Sequence, residues 1–232
     1  MRMLCLVGKK RCGKDTAADA ILQKFGGVKY QLAAPIKEML FYTCPLDMPM
    51  SNFEGLDYDR EQELPINIFQ GVSWLHAAVE RFCIKYPTLT IPKQYITKAI
   101  DDAMLEKIQN DKGFNCKWSV RHLMQTLGTD IMVNQINQQF WNQLMMIDFT
   151  KRIMQNGFFV VSDIRQVHEI ELMRKLNTPI IHLERPDNVS ERVDQHITER
   201  GLPRLDNEPI IINNSTIESY QQTVIEIVKQ YK

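Results

Sequence analysis

The chain has 232 residues, 44% hydrophobic and 24% charged, which is long for one simple domain and short for two full ones. Its 28 basic side chains balance 28 acidic ones, so no global field favours nucleic acid or a membrane surface, and charge that serves anion binding must be focused locally. Five cysteines (5, 12, 44, 83 and 116) form no CxxC pair, and no stretch reads as a secretory signal or bilayer span; the expected setting is the reducing cytoplasm.

Residues 3–7 are a short apolar run of the kind that forms a buried strand. Gly8-Lys9-Lys10-Arg11-Cys12-Gly13-Lys14-Asp15-Thr16 follows, and then Ala17, Ala20, Ile21 and Phe25 at helical spacing before Gly26-Gly27. The Gly-x4-Gly-Lys spacing alone is weak, because glycine and lysine are common. Strand, glycine loop and helix in that order make it a phosphate-binding loop, in which backbone N–H groups and Lys14 surround phosphate oxygens at a helix N-terminus. Gly8 and Gly13 allow the backbone to turn and approach the anion. Asp15 stands where such loops carry a magnesium-binding hydroxyl. Three readings stay open: Thr16 supplies that hydroxyl, Asp15 reaches the metal through water, or Asp15 is a first-turn acid favoured by the helix dipole.

Residues 28–32 suggest a second strand, and Ile36, Met39 and Leu40 a helix ending near Cys44-Pro45. The stretch from 45 to about 70 is turn-rich, with one dense charged cluster, Tyr58-Asp59-Arg60-Glu61. Val72, Leu75, Val79 and Phe82 mark one amphipathic helix and Ile96, Ala99, Ile100 and Ala103 another; residues 87–92 between them read as a hairpin edge or a loop. Ser119 caps a helix carrying Val120, Leu123 and Leu127, stopped at Gly128, and a longer helix carries Ile136, Phe140, Trp141 and Leu144. Residues 35–155 thus form a mostly helical insertion. The α/β pattern resumes with strands at 158–161, 179–183 and 210–212, a helix over 167–176, and a closing helix through Ile217, Tyr220, Val224 and Val228. The expected fold is α/β, a parallel sheet flanked by helices, with its core in 1–34 and 156–232.

Ser162-Asp163-Ile164-Arg165 ends one of these strands, where open parallel sheets bind ligands. Asp163 suits a hydrated magnesium ion and Arg165 a phosphate clamp; the alternative is a salt bridge between the two. Arg121, with Gln125 one turn on, could offer donors to an anion or a base edge. The segment 185–208 carries Arg185, Arg192, Arg200 and Arg204, and reads either as an arginine-bearing lid or as a polar connection. Tyr42, Trp74 and Trp141 stack on a base or belong to the core.

Several blocks together resemble the deoxynucleoside monophosphate kinases of T-even-type bacteriophages. They are residues 8–16, Val-Lys-Tyr-Gln-Leu-Ala-Ala-Pro-Ile-Lys at 28–37, Phe-Glu-Gly-Leu-Asp-Tyr-Asp-Arg-Glu at 53–61, and Trp-Ser-Val-Arg-His-Leu-Met-Gln-Thr-Leu-Gly-Thr-Asp at 118–130. Asp-Ile-Arg-Gln-Val-His-Glu at 163–169 and His-Ile-Thr-Glu-Arg-Gly-Leu-Pro at 196–203 complete them, while 62–115 is similar only loosely. The resemblance implies a P-loop kinase fold with an inserted monophosphate-binding region, moving a phosphoryl group from ATP to a deoxynucleoside monophosphate such as dGMP, dTMP or a modified dCMP. It implies that Arg11 to Thr16 hold ATP and magnesium. It further implies that Lys10, Ile36, Lys37, Arg60, Arg121, Gly128, Thr129, Trp141, Asp163, Arg165 and Glu169 surround the monophosphate. Cys12 replaces the serine usual in the loop, and His122 stands where some relatives carry lysine.

Catalysis in such a kinase needs no general base, because the attacking monophosphate oxygen is already anionic near neutral pH. Lys14, Arg121, Arg165 and Asp163, with magnesium, are suited to bringing two polyanions in line. The expected ligands are therefore ATP, Mg2+ and a deoxynucleoside monophosphate, with no nucleic acid and no membrane; a homodimer stays open. A dephospho-coenzyme-A-like kinase, in which Asp163 serves as base, is the nearest alternative, and a non-catalytic ATP-binding switch is the alternative from another class.

Overall fold

The structure is a computed structural model, describing residues 1–9, 11–55, 59–87, 91–110, 117–186 and 202–232. It contains two compact units, one formed by Met1–Leu32 with Trp141–Lys232 and the other by Ala33–Phe140.

The first unit is built on strands β1 (Arg2–Val7), β2 (Gly27–Tyr30), β3 (Phe158–Ile164), β4 (Ile180–Glu184) and β5 (Ile210–Ile212). They form one sheet in the order β2-β3-β1-β4-β5, with every pairing parallel. Parallel strands covered on both faces read as continuous apolar runs, and all seven residues of β3 are buried. Helices α1 (Lys14–Phe25) and α9 (Ile217–Lys229) close one face. Ala17, Ala18 and Ile21 of α1 and Tyr220, Val224 and Val228 of α9 pack there with Leu4, Leu6, Val160, Ile181 and Ile211. Helix α7 (Phe140–Arg152) contributes Phe149, edge-on to Phe159 of β3, and α8 (Val167–Lys175) buries Ile170 and Met173.

One irregularity matters for the site. Cys5 pairs with Val161 but Val7 pairs with Ile164, so β3 carries an extra residue at its carboxyl end. Such a bulge re-aims side chains next to the strand terminus, here Ser162 and Asp163.

The second unit is helical: α2 (Ala34–Tyr42), α3 (Met50–Glu54), α4 (Ile68–Lys85), α5 (Lys93–Asn110), α6 (Val120–Gln125) and a π-helix over Thr126–Ile136. Helix α4 starts in a capping box between Asn67 and Gln70, and Trp74 on its buried face donates Nε1–H to Leu40 O at 2.9 Å. Trp118 is fully buried and donates to Ile68 O at 3.4 Å.

The structure corrects four local expectations. The second strand covers Gly27–Tyr30, ending before Leu32. The turn-rich stretch after Cys44 contains the short helix α3. The helix begun at Ser119 does not stop at Gly128 but runs on as the π-helix to Ile136, and α7 starts afresh at Phe140. A glycine stops a helix when it turns left-handed. Gly128 keeps a negative φ and is small for a different reason: a Cβ there would lie 2.7 Å from Ile36 Cδ1. Lys10, 88–90 in the expected hairpin, and 187–201, with the arginines at 192 and 200, lie outside the described residues.

Candidate active site

Loop 8–16 leaves β1, the central strand, and enters α1. Gly13 is the N-cap of α1 at φ +101°, and Arg11 also adopts positive φ, +64°. A left-handed residue at the helix entrance bends the chain sharply, and a Cβ on Gly13 would lie 2.6 Å from Asn213 Nδ2. Among the described residues no side chain caps α1. Lys14 folds back over the loop, its Nζ donating to Gly8 O and Lys9 O at 2.6 Å each and lying 3.7 Å from Cys12 Sγ. Cys12 is buried, and its N–H donates within the loop to Lys9 O at 3.4 Å. The loop thus places an ammonium and the positive end of a helix dipole at one spot, a suitable cradle for phosphate.

Asp15 and Thr16 occupy the first turn of α1 but differ in surroundings. Lys29 Nζ on β2 lies 3.4 Å from Asp15 and 2.9 Å from Asp19. Burial pulls the Lys29 ammonium down, yet the two carboxylates more than offset it and leave its pKa raised. The Asp15 carboxylate is therefore shared with a cation along the helix flank.

At the neighbouring strand end, Asp163 is buried and accepts the Leu32 N–H at 2.6 Å. Arg165 follows two residues later, where its backbone N–H donates to Glu169 Oε2 at 2.8 Å. Glu169 also accepts the Gln166 N–H at 2.9 Å, and with Gln166 forms the capping box of α8. Burial pushes the Glu169 carboxyl up to about 7, against the two amides that lower it, with Asp163 raising it further. Trp141 is buried near the start of α7.

The helical unit holds the remaining expected residues. Arg121 on α6 donates its backbone N–H to Arg60 O at 2.8 Å, and its Nε lies 3.7 Å from Glu61 Oε1. Arg60 reaches Phe53 O at 3.4 Å. Gln125 closes α6, Gly128 and Thr129 lie buried in the π-helix, and Ile36 and Lys37 lie on α2, with Ile36 facing Gly128. A π-helix widens the turn and recurs at functional positions. Lys107 Nζ lies 3.0 Å from His122 Nδ1 and 4.7 Å above the Trp118 ring, so His122 has a cation beside it. The aromatic candidates divide: Trp74 is core, whereas Tyr42 is exposed under Arg81, 4.5 Å from its ring.

Two residues the sequence reading passed over touch the loop. Asn213 donates Nδ2–H to Cys12 O at 3.1 Å, and Tyr220 donates its hydroxyl to Gly13 O at 3.1 Å. Asn213 directly follows β5, so the rule that pointed to Asp163, polar residues at the carboxyl ends of parallel strands, also pointed there. Tyr220 was hidden by its apolar spacing.

A family profile described as deoxynucleotide monophosphate kinase matches residues 2–224. The chain is similar to a deoxynucleotide monophosphate kinase of Enterobacteria phage T4, 35% identical over 94% of this chain and 95% of the relative. It is also similar to one of Escherichia phage RB69, 32% identical over 99% of this chain and all of the relative, 100%.

Proposed function

The chain belongs to the deoxynucleotide monophosphate kinase family and phosphorylates deoxynucleoside monophosphates from ATP, and we propose that it does so with the loop 8–16, Asp163 and Arg165 on the sheet and Arg121 on α6. The observation that carries this reading is the pairing of β1 with β3, which sets the phosphate loop beside the strand ending in Asp163 and Arg165. Gly13, Lys14 and the amides of the first turn of α1 take the ATP phosphates; Gly8, Arg11 and Cys12 shape the loop. Arg165 and Arg121 hold oxygens of the phosphate groups that meet in the reaction, and Arg60, Lys37 and Gln125 contribute to acceptor recognition. Ile36, Gly128, Thr129 and Trp141 shape the acceptor's surroundings, Lys10 adds a cation to them, and Glu169 fixes Arg165.

The donor chemistry fits a hard divalent cation, which prefers oxygen ligands. Of the two first-turn candidates we favour the Thr16 hydroxyl, because Asp15 already shares its charge with Lys29; Asp163 is the carboxylate partner. Magnesium supplies charge neutralisation between the phosphate groups when bound. No side chain needs to take a proton from the attacking monophosphate, so the protein's work is positioning, water exclusion and charge stabilisation.

We place the reaction in the reducing cytoplasm of an infected cell, which matches free Cys5, Cys12, Cys44 and Cys83. Among the described residues no helix is long and apolar enough to cross a membrane. The test is ADP release from ATP and magnesium against dGMP, dTMP, dCMP and its modified forms, the matching ribonucleotides, and dephospho-coenzyme A. Turnover with dGMP or dTMP well above the ribonucleotides is expected. Preferential turnover of dephospho-coenzyme A would overturn the acceptor assignment.

A further inference from the structure

The chain's last strand and last helix reach back to the nucleotide loop through two hydrogen bonds that the activity as described does not use. Asn213 is fixed at both ends. Its backbone N–H donates to Glu184 O at the end of β4, at 2.7 Å, and its side chain donates to Cys12 O at 3.1 Å. Tyr220 sits in α9 within the apolar cluster beneath the sheet, 2% exposed. A hydroxyl in such surroundings is costly unless it is bonded, and Tyr220 donates to Gly13 O. That carbonyl also accepts the Ala17 N–H at 2.9 Å, the first bond of α1.

These contacts have a directional consequence. In a trans peptide the C=O of one residue and the N–H of the next point in opposite directions. Holding Cys12 O toward Asn213 turns the Gly13 N–H the other way, and holding Gly13 O toward Tyr220 and Ala17 turns the Lys14 N–H out of the helix entrance. These are amides that a phosphate-binding loop offers to its anion. At φ +101° Gly13 is also the residue whose backbone is least restrained by its own side chain, so outside restraint matters most there.

We infer that Asn213 and Tyr220 are positioning residues for ATP, orienting the Gly13 and Lys14 amides through the carbonyls of Cys12 and Gly13. The inference rests on the reading of loop 8–16 as the ATP-phosphate site. Neither residue touches phosphate; each acts through one peptide plane. Burial raises the Tyr220 pKa, so the hydroxyl remains a donor across the working pH range.

The experiment compares native protein, Tyr220→Phe, Asn213→Asp and Lys14→Ala. Tyr220→Phe keeps the packed ring and removes only the donor. Asn213→Asp keeps the shape but sets a carboxylate against the Cys12 carbonyl. Equilibrium ATP binding is measured with magnesium, alongside KM for both substrates and thermal unfolding. One lost hydrogen bond predicts about 3- to 10-fold weaker ATP binding in Tyr220→Phe, and Asn213→Asp should lose more. KM for the monophosphate should stay within about twofold and folding should be retained, a split that a merely structural role would not produce. The Gly13 and Lys14 amide resonances should move less on ATP addition than in native protein. Native protein binding ATP while both variants bind it equally well would overturn the inference alone. Native protein and Lys14→Ala binding equally well, or neither binding, would overturn the loop assignment beneath it.

Discussion

Glu169 holds Arg165 by its backbone: Oε2 accepts the Arg165 N–H at 2.8 Å while capping α8 through Gln166. The carboxylate thereby fixes the chain from which the guanidinium projects. Glu169→Ala removes the cap and leaves two amides without their acceptor, costing about 1–2 kcal/mol of stability and lowering kcat at least about tenfold. Glu169→Gln keeps an acceptor oxygen at the same place and should stay within about threefold of native kcat. Steady-state kinetics on the two variants separate positioning from charge; equal damage in both would show that the negative charge itself is required.

The same residue gives a pH dependence. Its carboxyl titrates at about 7 in the folded chain, against 4.5 for an ordinary glutamate. Between those values the native chain keeps a proton that the unfolded chain has released, so stability falls as pH rises and levels off above about 7. The full effect is on the order of 3 kcal/mol. Asp130, raised to about 6 by burial and by Glu106, acts in the same direction, and His168, lowered by burial, acts in the opposite one. Urea unfolding at pH 5, 6 and 7.5 on native protein and Glu169→Gln isolates Glu169, because the other two titrate in both. The native excess in stability should shrink across that range.

Lys14→Ala and Arg165→Ala should leave the fold intact and reduce kcat/KM by about two to three orders of magnitude, the scale for removing one charge-stabilising group from a transition state. Lys14 also donates to two loop carbonyls, so its loss should weaken ATP binding, raising the apparent Kd for ATP as well. Near-normal kcat/KM in either variant would falsify its assigned role.

How far the sequence revealed this site depends on the range of the interactions. The strand, loop and helix around Gly8 to Thr16 are contiguous, and their apolar spacing and glycines speak directly. Asp163 and Arg165 were legible because an apolar run ended in two charged residues. Asn213 and Tyr220 were not identified, because their partners lie 201 and 207 residues away and a tyrosine at apolar spacing looks like core. Gly128 misleads for a related reason: a glycine packed against the tip of Ile36 looks, in sequence, the same as a glycine that ends a helix.

In the helical unit, Arg121 lies near Glu61, with Nε 3.7 Å from Oε1. A bound monophosphate would compete with that carboxylate for the guanidinium. Arg121→Ala should raise KM for the monophosphate at least about tenfold, the loss of one charge-assisted bidentate contact, while KM for ATP changes little. Arg121→Lys should recover only part of the loss, because an ammonium lacks the planar fork. Glu61→Gln should leave KM unchanged or lower it. A rise in Glu61→Gln equal to that in Arg121→Ala would mean that the pair is structural.

Glu208 supplies the last prediction, on stability. It accepts from Arg174 Nε at 2.7 Å, Arg174 Nη2 at 3.0 Å and Leu205 N–H at 3.0 Å, and lies 2.8 Å from His182 Nε2. Burial would raise its pKa, but Arg174, the Leu205 amide and His182 outweigh that and hold the carboxyl down at about 2. Arg174 also donates to Pro203 O at 2.7 Å, so the cluster ties residues 203–208 to α8 and β4. Removing one partner from a buried charge cluster is worse than never having built it, because the others stay buried. Glu208→Ala should therefore cost about 3–5 kcal/mol at neutral pH, and Glu208→Gln, which keeps shape and an acceptor, less. A carboxyl with a depressed folded pKa stabilises above the unfolded value of 4.5, and that contribution disappears as pH falls through about 2. The gap between native protein and Glu208→Ala should accordingly narrow between pH 4.5 and 2 in urea unfolding. A constant gap would assign the loss to packing, with the charge cluster contributing nothing.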